Sequence, residues 1–225
     1  MLSVIKSIAK QNNYEVYTKP YQLNIWGFRS AQTNANRFDD EIHVFFKKNL
    51  IQWEYHIFKA TTDPGTYWLN NPMQPQGTAI LAKGQYKDAY QLGLHRGEYI
   101  ALVERKPVTV IRDYNRNAKL EFFNGRKSTG TYGINIHRAM ANGITRIVDK
   151  FSAGCQVFAN ASDFFQFIKL CERHKQLYGN QFTYTLVDWR SKAKAGFKKF
   201  ALGTLAVGTV GLSTYFIINH KQKNN

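Results

Sequence analysis

The sequence predicts an α+β, strand-rich domain with one principal helix, followed by a separate apolar helix at the C-terminus. Three observations lead there. Aromatic residues make up 15% of the 225-residue chain and gather with β-branched neighbours into short runs divided by turn dipeptides. One segment, Ser162 to Tyr178, repeats its apolar residues at helical spacing. The stretch 200–219 is twenty uncharged residues, mostly apolar or small.

Taken in order, Leu2, Ile5 and Ile8 with Lys6 and Lys10 outline a short amphipathic helix. The same N-terminus lacks the roughly 7–15-residue apolar stretch of a secretion signal. Strands are expected in Tyr21–Phe28, Glu41–Phe46, Ile51–Phe58, Tyr99–Val103, Val108–Ile111 and Phe182–Val187. Turns are expected at Asp63-Pro64-Gly65, Asn71-Pro72, Lys83-Gly84 and Asn124-Gly125. Arg112 to Asn117 reads as a hairpin turn; it lacks the central glycine and closing glutamate of a calcium loop. Ile134 and Ile136 alternate with Gly133, Asn135 and His137, placing His137 on the polar face of a further strand. In the helix, Phe164, Phe167, Ile168 and Cys171 share a face, with Leu177 fitting less neatly. Ser162 is the expected N-cap, Asp163 sits in the first turn and Gly179 follows the last. Cys171 is therefore expected in the core. The even cysteine count leaves a Cys155–Cys171 disulfide open, although two cysteines make no disulfide framework.

A formal charge of +16 favours anionic partners without choosing among them. No recognition-helix, zinc or RNP pattern accompanies it, so nucleic acid is not the expected partner. Part of the excess is concentrated in Arg190, Lys192, Lys194, Lys198 and Lys199, a basic linker over 190–199. The run 200–219 would span about 30 Å as a helix, the thickness of a bilayer core. Basic residues flank it, with Lys221 and Lys223 in the tail 220–225 and Tyr215 near one end. A transmembrane anchor is the expectation, with a buried core helix as the alternative.

The residues with the most chemistry are a histidine and a cysteine eighteen positions apart, in Gly133-Ile134-Asn135-Ile136-His137 and Ser152-Ala153-Gly154-Cys155. An imidazole in reach of a thiol can generate the thiolate nucleophile. Small residues before the thiol permit a tight turn whose N–H groups could face an oxyanion. This arrangement, with Asp163 and a helix-like segment following, resembles the L,D-transpeptidase catalytic domain (YkuD-like) over roughly residues 88–187. The resemblance implies Cys155 as nucleophile, His137 as its base, Gly154 and Cys155 as oxyanion-hole donors, and Ser152 as a brace for the turn. Two positions depart from the family pattern: Arg138-Ala139 stands where Gly-Thr is usual, and Val157 where an arginine is usual.

The implied organisation is a catalytic domain over 1–189, then linker, anchor and tail. The implied activity is cysteine-dependent peptidase or transpeptidase chemistry on the stem peptides of peptidoglycan, through a thioester and without a cofactor. The positive-inside rule would keep the domain in the cytoplasm, away from wall. A phage lysis or virion enzyme, waiting inside or arriving from outside, would reconcile the two. The competing expectation is a non-catalytic, membrane-anchored wall-binding protein. A histidine-activated Cys155 should react with thiol probes below pH 8 and ahead of Cys171. Two further features stay open. Trp68, in Asp63–Asn70, either forms one wall of a peptide cleft or lies buried behind an Asx-type turn. His95, Glu41/His43 and Glu54/His56 lack the converging spacing of a metal site.

Overall fold

The computed structural model describes residues 1–188; the expected linker 190–199, apolar helix 200–219 and tail 220–225 lie outside the described residues. Among the described residues no helix is long and apolar enough to cross a membrane. The chain is α+β and strand-rich, as its residue pattern predicts. It begins with helix α1 (Leu2–Asn12), whose Ile5, Ile8 and Ala9 are buried. There follow β1 (Asn24–Arg29), β2 (Asp40–Lys47), β3 (Trp53–Thr61), helix α2 (Thr66–Asn70), β4 (Thr78–Leu81), β5 (Gly84–His95), β6 (Tyr99–Glu104) and β7 (Val108–Asp113). The second half contains β8 (Lys127–Gly130), β9 (Ile136–Arg138), a 3₁₀ turn at Asp149–Phe151, β10 (Gln156–Phe158), helix α3 (Ala161–Tyr178) and β11 (Phe182–Asp188).

Eight strands close a barrel in the order β1-β11-β5-β6-β9-β10-β3-β2. The pairs β1–β11 and β9–β10 are parallel and the others antiparallel. A smaller sheet, β4-β7-β8, packs alongside. Strand alternation explains its two buried faces. Ala79, Leu81, Val108 and Val110 join the barrel core, while Ile80, Ala82 and Ile111 cluster with Leu69, Leu120 and Phe122 on the other side. Helix α3 turns Phe164, Phe167, Ile168 and Cys171 into the same core, where Phe158 stacks on Phe167 at 5.0 Å.

The six expected strands are present with ends shifted by up to three residues. Strand β5, the longest, carries no clean period-2 pattern because Lys87, Asp88 and Gln91 interrupt its apolar residues; β4 and β8 are four residues each, too short for periodicity to register. Arg112 to Asn117 is not a tight hairpin. β7 runs to Asp113, and the connection 114–126 is held by the Glu121 N–H, which donates to Asp113 Oδ2 at 2.9 Å. The N-cap of α3 is Asn160, not Ser162: its side-chain oxygen accepts the Ser162 N–H at 2.9 Å. Cys155 and Cys171 are both free thiols, so the disulfide is absent.

Two polar features lock the barrel. Arg29 is fully buried, with Nε 2.7 Å from Asp63 Oδ1 and its other nitrogens donating to the carbonyls of Leu81 and Thr62 at 2.9 and 2.8 Å. Inside the barrel, the Tyr184 hydroxyl donates to Gln156 Oε1 at 3.0 Å, in space left open by Gly27. A Cβ at position 27 would lie 1.8 Å from that hydroxyl. Gly27→Ala is therefore expected to cost about 1–3 kcal/mol through overpacking, read as a lowered melting temperature. An unchanged melting point would contradict this packing.

Candidate active site

Parallel strands β9 and β10 lie side by side, with Val157 opposite His137 and Gln156 opposite Ile136. Period-2 alternation sends Ile136 and Phe158 into the barrel core and leaves His137, Val157 and Cys155 on the outer face. Cys155 stands one residue before β10 with its sulfur on the Gly133 carbonyl, and among the described residues no hydrogen bond joins it to His137. Both open into one cavity of about 620 Å³, walled also by Trp68, Thr78, His95, Arg96, Arg112 and Tyr132.

The turn before Cys155 is internally bonded. Ser152, wholly buried, donates from Oγ to the Cys155 carbonyl at 2.8 Å and accepts the Gly154 N–H at 3.2 Å. Gly154 has φ +124°, and a Cβ there would lie 2.3 Å from the Ala79 carbonyl oxygen, so only glycine fits. Ser152 ties the turn together through these two bonds. The Gly154 N–H is directed at Ser152, however, so it does not face the cavity as an oxyanion donor.

Each partner's hydrogen-bond contacts define its protonation. His137 Nδ1 lies 2.8 Å from the Arg138 carbonyl, which can only accept, so Nδ1 carries the hydrogen and Nε2 keeps the basic lone pair. Tyr99 supports both: its hydroxyl is 3.3 Å from Nδ1 and 3.2 Å from the same carbonyl. Burial, together with His95 and Arg96, pushes the imidazole down to about 3. Cys155 Sγ donates to the Gly133 carbonyl at 3.4 Å. Burial pushes the thiol up to about 11, against the Asn135 N–H and Arg96, which pull it down. At rest the cavity wall holds a neutral thiol and a neutral imidazole, each bonded to a backbone carbonyl rather than to the other.

That state reverses the expected reactivity below pH 8. With a thiol at about 11, roughly one molecule in 10⁴ is thiolate at pH 7. Labelling of Cys155 by iodoacetamide should be slow there and quicken about tenfold per pH unit towards pH 11. Cys171, fully buried, should label only on unfolding. A Cys155 rate already at its plateau at pH 7 would show an activated thiolate instead.

Several site residues escape the linear sequence. The β5–β6 hairpin places His95 opposite Tyr99, through a turn in which Arg96 and Gly97 both have positive φ. His95 then stacks on His137 at 4.1 Å between ring centres. Its Nδ1 lies 3.0 Å from Asn135 Nδ2, while Asn135 Oδ1 accepts the Glu104 N–H at 2.9 Å. The Glu104 carboxylate holds the neighbouring loop, accepting the Tyr132 and Ile134 N–H groups at 3.1 and 2.8 Å. Gly97, following Arg96 between two strand-like runs, is the local signal that would have marked the hairpin; nothing local marks the stack. Trp68 is half-buried with its indole N–H on the Lys150 carbonyl at 3.0 Å, so it lines the cavity rather than lying buried behind the turn. The Glu41–His43 and Glu54–His56 pairs close at 2.7 Å along their own strands, and no metal-holding group of three His, Cys, Asp or Glu occurs among the described residues.

No protein family, curated protein or solved structure matches this chain.

Proposed function

We propose that the domain is an L,D-transpeptidase-like cysteine enzyme that cleaves or transfers amide bonds in peptidoglycan stem peptides. The observation that carries this reading is that Cys155 and His137 line one cavity. His137 Nε2 takes the thiol proton as the sulfur attacks an amide carbonyl carbon beside a diamino acid. Because the resting pair is neutral, transfer accompanies attack, as in serine–histidine catalysis, rather than preceding it. The amide nitrogen departs with the proton held by the imidazolium, leaving a thioester on Cys155. Water then restores the thiol and releases a carboxylate, or an amine restores it and forms a cross-link. The oxyanion role falls to the Cys155 N–H, with Arg96 supplying positive charge to the cavity. The basic stretch 190–199 and the apolar run 200–219 would hold this domain at a membrane, and a phage lysis or virion enzyme, waiting inside or arriving from outside, would reconcile that tether with a wall substrate.

Digestion of purified cell wall tests the chemistry. Cys155→Ala is expected to reduce release of new amino termini by at least about 10³-fold. Clearance at the parent rate would end the catalytic assignment. A second reading, a wall-binding module without turnover, is favoured by the inward Gly154 N–H and the raised Cys155 thiol. It predicts wall binding by parent and variant alike, with no new termini from either.

A further inference from the structure

Beside the Cys155 cavity lies a second, of about 610 Å³, and Arg112 and Tyr132 belong to the walls of both. We propose that this second chamber is a carboxylate-binding subsite of the same cleft, in which Arg112 and Arg126 hold a free carboxylate of an acidic peptide while its amide reaches Cys155. This rests on the wall-peptide reading and extends it, because stem peptides carry carboxylates along their length.

Four observations converge. First, Arg112 and Arg126 are placed opposite each other by extension of the β7–β8 ladder, the Arg112 N–H donating to the Arg126 carbonyl at 2.9 Å. Like charges directly across a strand pair are unfavourable, and among the described residues neither guanidinium forms an ion pair. An anion between them would remove that repulsion. Second, Arg112 is already oriented: its guanidinium lies over the Tyr132 ring at 4.7 Å and donates to the Gly77 carbonyl at 3.3 Å, leaving further donors unused. Third, the Ser128 hydroxyl in the same wall is buried without a hydrogen-bond partner. Such orphans are rare in folded proteins, and a ligand oxygen would satisfy this one. Fourth, the residues lining the two cavities include three arginines, at 96, 112 and 126, and no carboxylate. Arginine, with its planar fork, suits a carboxylate better than a lysine would. The chain has Val157 where the resembled family usually carries an arginine near its cysteine; Arg112 brings a guanidinium into the cleft from another strand.

The test measures binding separately from turnover. Calorimetry on the full chain carrying Cys155→Ser would use the tripeptide L-Ala–γ-D-Glu–diaminopimelate and the same peptide with its carboxylates amidated. The acidic peptide is expected to bind at least about tenfold more tightly, to weaken with added salt, and to lose that advantage in Arg126→Gln. Arg126→Lys should retain part of it. Melting of Arg126→Gln should be unchanged or higher, since a repulsion is removed, so lost binding would not reflect lost folding. Equal affinity for both peptides, or an Arg126→Gln chain that binds the acidic one undiminished, would overturn the subsite. Displacement of the peptide by inorganic phosphate at matched ionic strength and equal concentration would overturn its carboxylate selectivity. Arginine-dependent binding together with Cys155-independent wall digestion would uphold the subsite and sink the catalytic reading alone; Cys155-dependent digestion without it would do the reverse.

Discussion

Arg29→Met is expected to destabilise the domain by about 3–5 kcal/mol, the usual cost of removing one partner from a buried ion pair. The guanidinium is enclosed by Asp63 at 2.7 Å and Asp188 at 3.7 Å. Asp40 completes the group, accepting the Thr62 N–H at 2.7 Å and the Ser30 N–H at 2.7 Å. Burial already raises the Asp40 carboxyl, and Arg29 is among the groups pulling it back. Without Arg29 the carboxylates would repel one another with no counter-charge, so protonation would relieve the fold. The loss measured by chemical denaturation should therefore be larger at pH 8 than at pH 5. A variant equally stable at both, or as stable as the parent, would refute this role. The site would feel the change as well, because Asp63 opens the loop into α2 and thus helps place Trp68 in the cavity wall.

His137→Gln should remove general-base assistance and lower wall digestion by about 10²–10⁴-fold. It should also alter acid stability in a defined direction. A histidine held down to about 3 by burial stays neutral in the folded chain while its unfolded counterpart, near 6.5, takes up a proton. Its stabilising contribution is thus whole above about pH 6.5 and is lost as pH falls towards 3, by about 1.4 kcal/mol per unit. His95 and His174, also pushed down by burial, add to the same slope. Glutamine at 137 should flatten the fall in unfolding free energy between pH 6.5 and pH 4 without abolishing it. An unaltered slope with undiminished digestion would remove His137 from the site.

Some of this was readable locally. Helix α3 announces itself because Phe164, Phe167, Ile168 and Cys171 repeat at its own period and Gly179 ends it, although its N-cap fell on Asn160 because asparagine and serine two residues apart both suit a cap. The Ser152-to-Cys155 turn is equally local, a serine hydroxyl closing on residues two and three positions away. Strand β5 was opaque because burial on it follows its neighbours β11 and β6 rather than its own alternation. For the same reason His95 could be noticed but not placed: only the β5–β6 hairpin and the β6–β9 contact bring its ring onto His137.

Residue order by itself determined the class of the domain, the helix that seals its core, and the identity of the thiol and imidazole worth bringing together. Only the tertiary structure decided that both face one cavity, that His95 lies on His137 and that Arg112 faces Arg126 across a strand pair. It also turned a thiol expected to be activated into one held neutral. The physical reason is that spacing along a chain specifies which groups can be neighbours in a turn or helix. Desolvation and charge at a site depend on every strand that converges there.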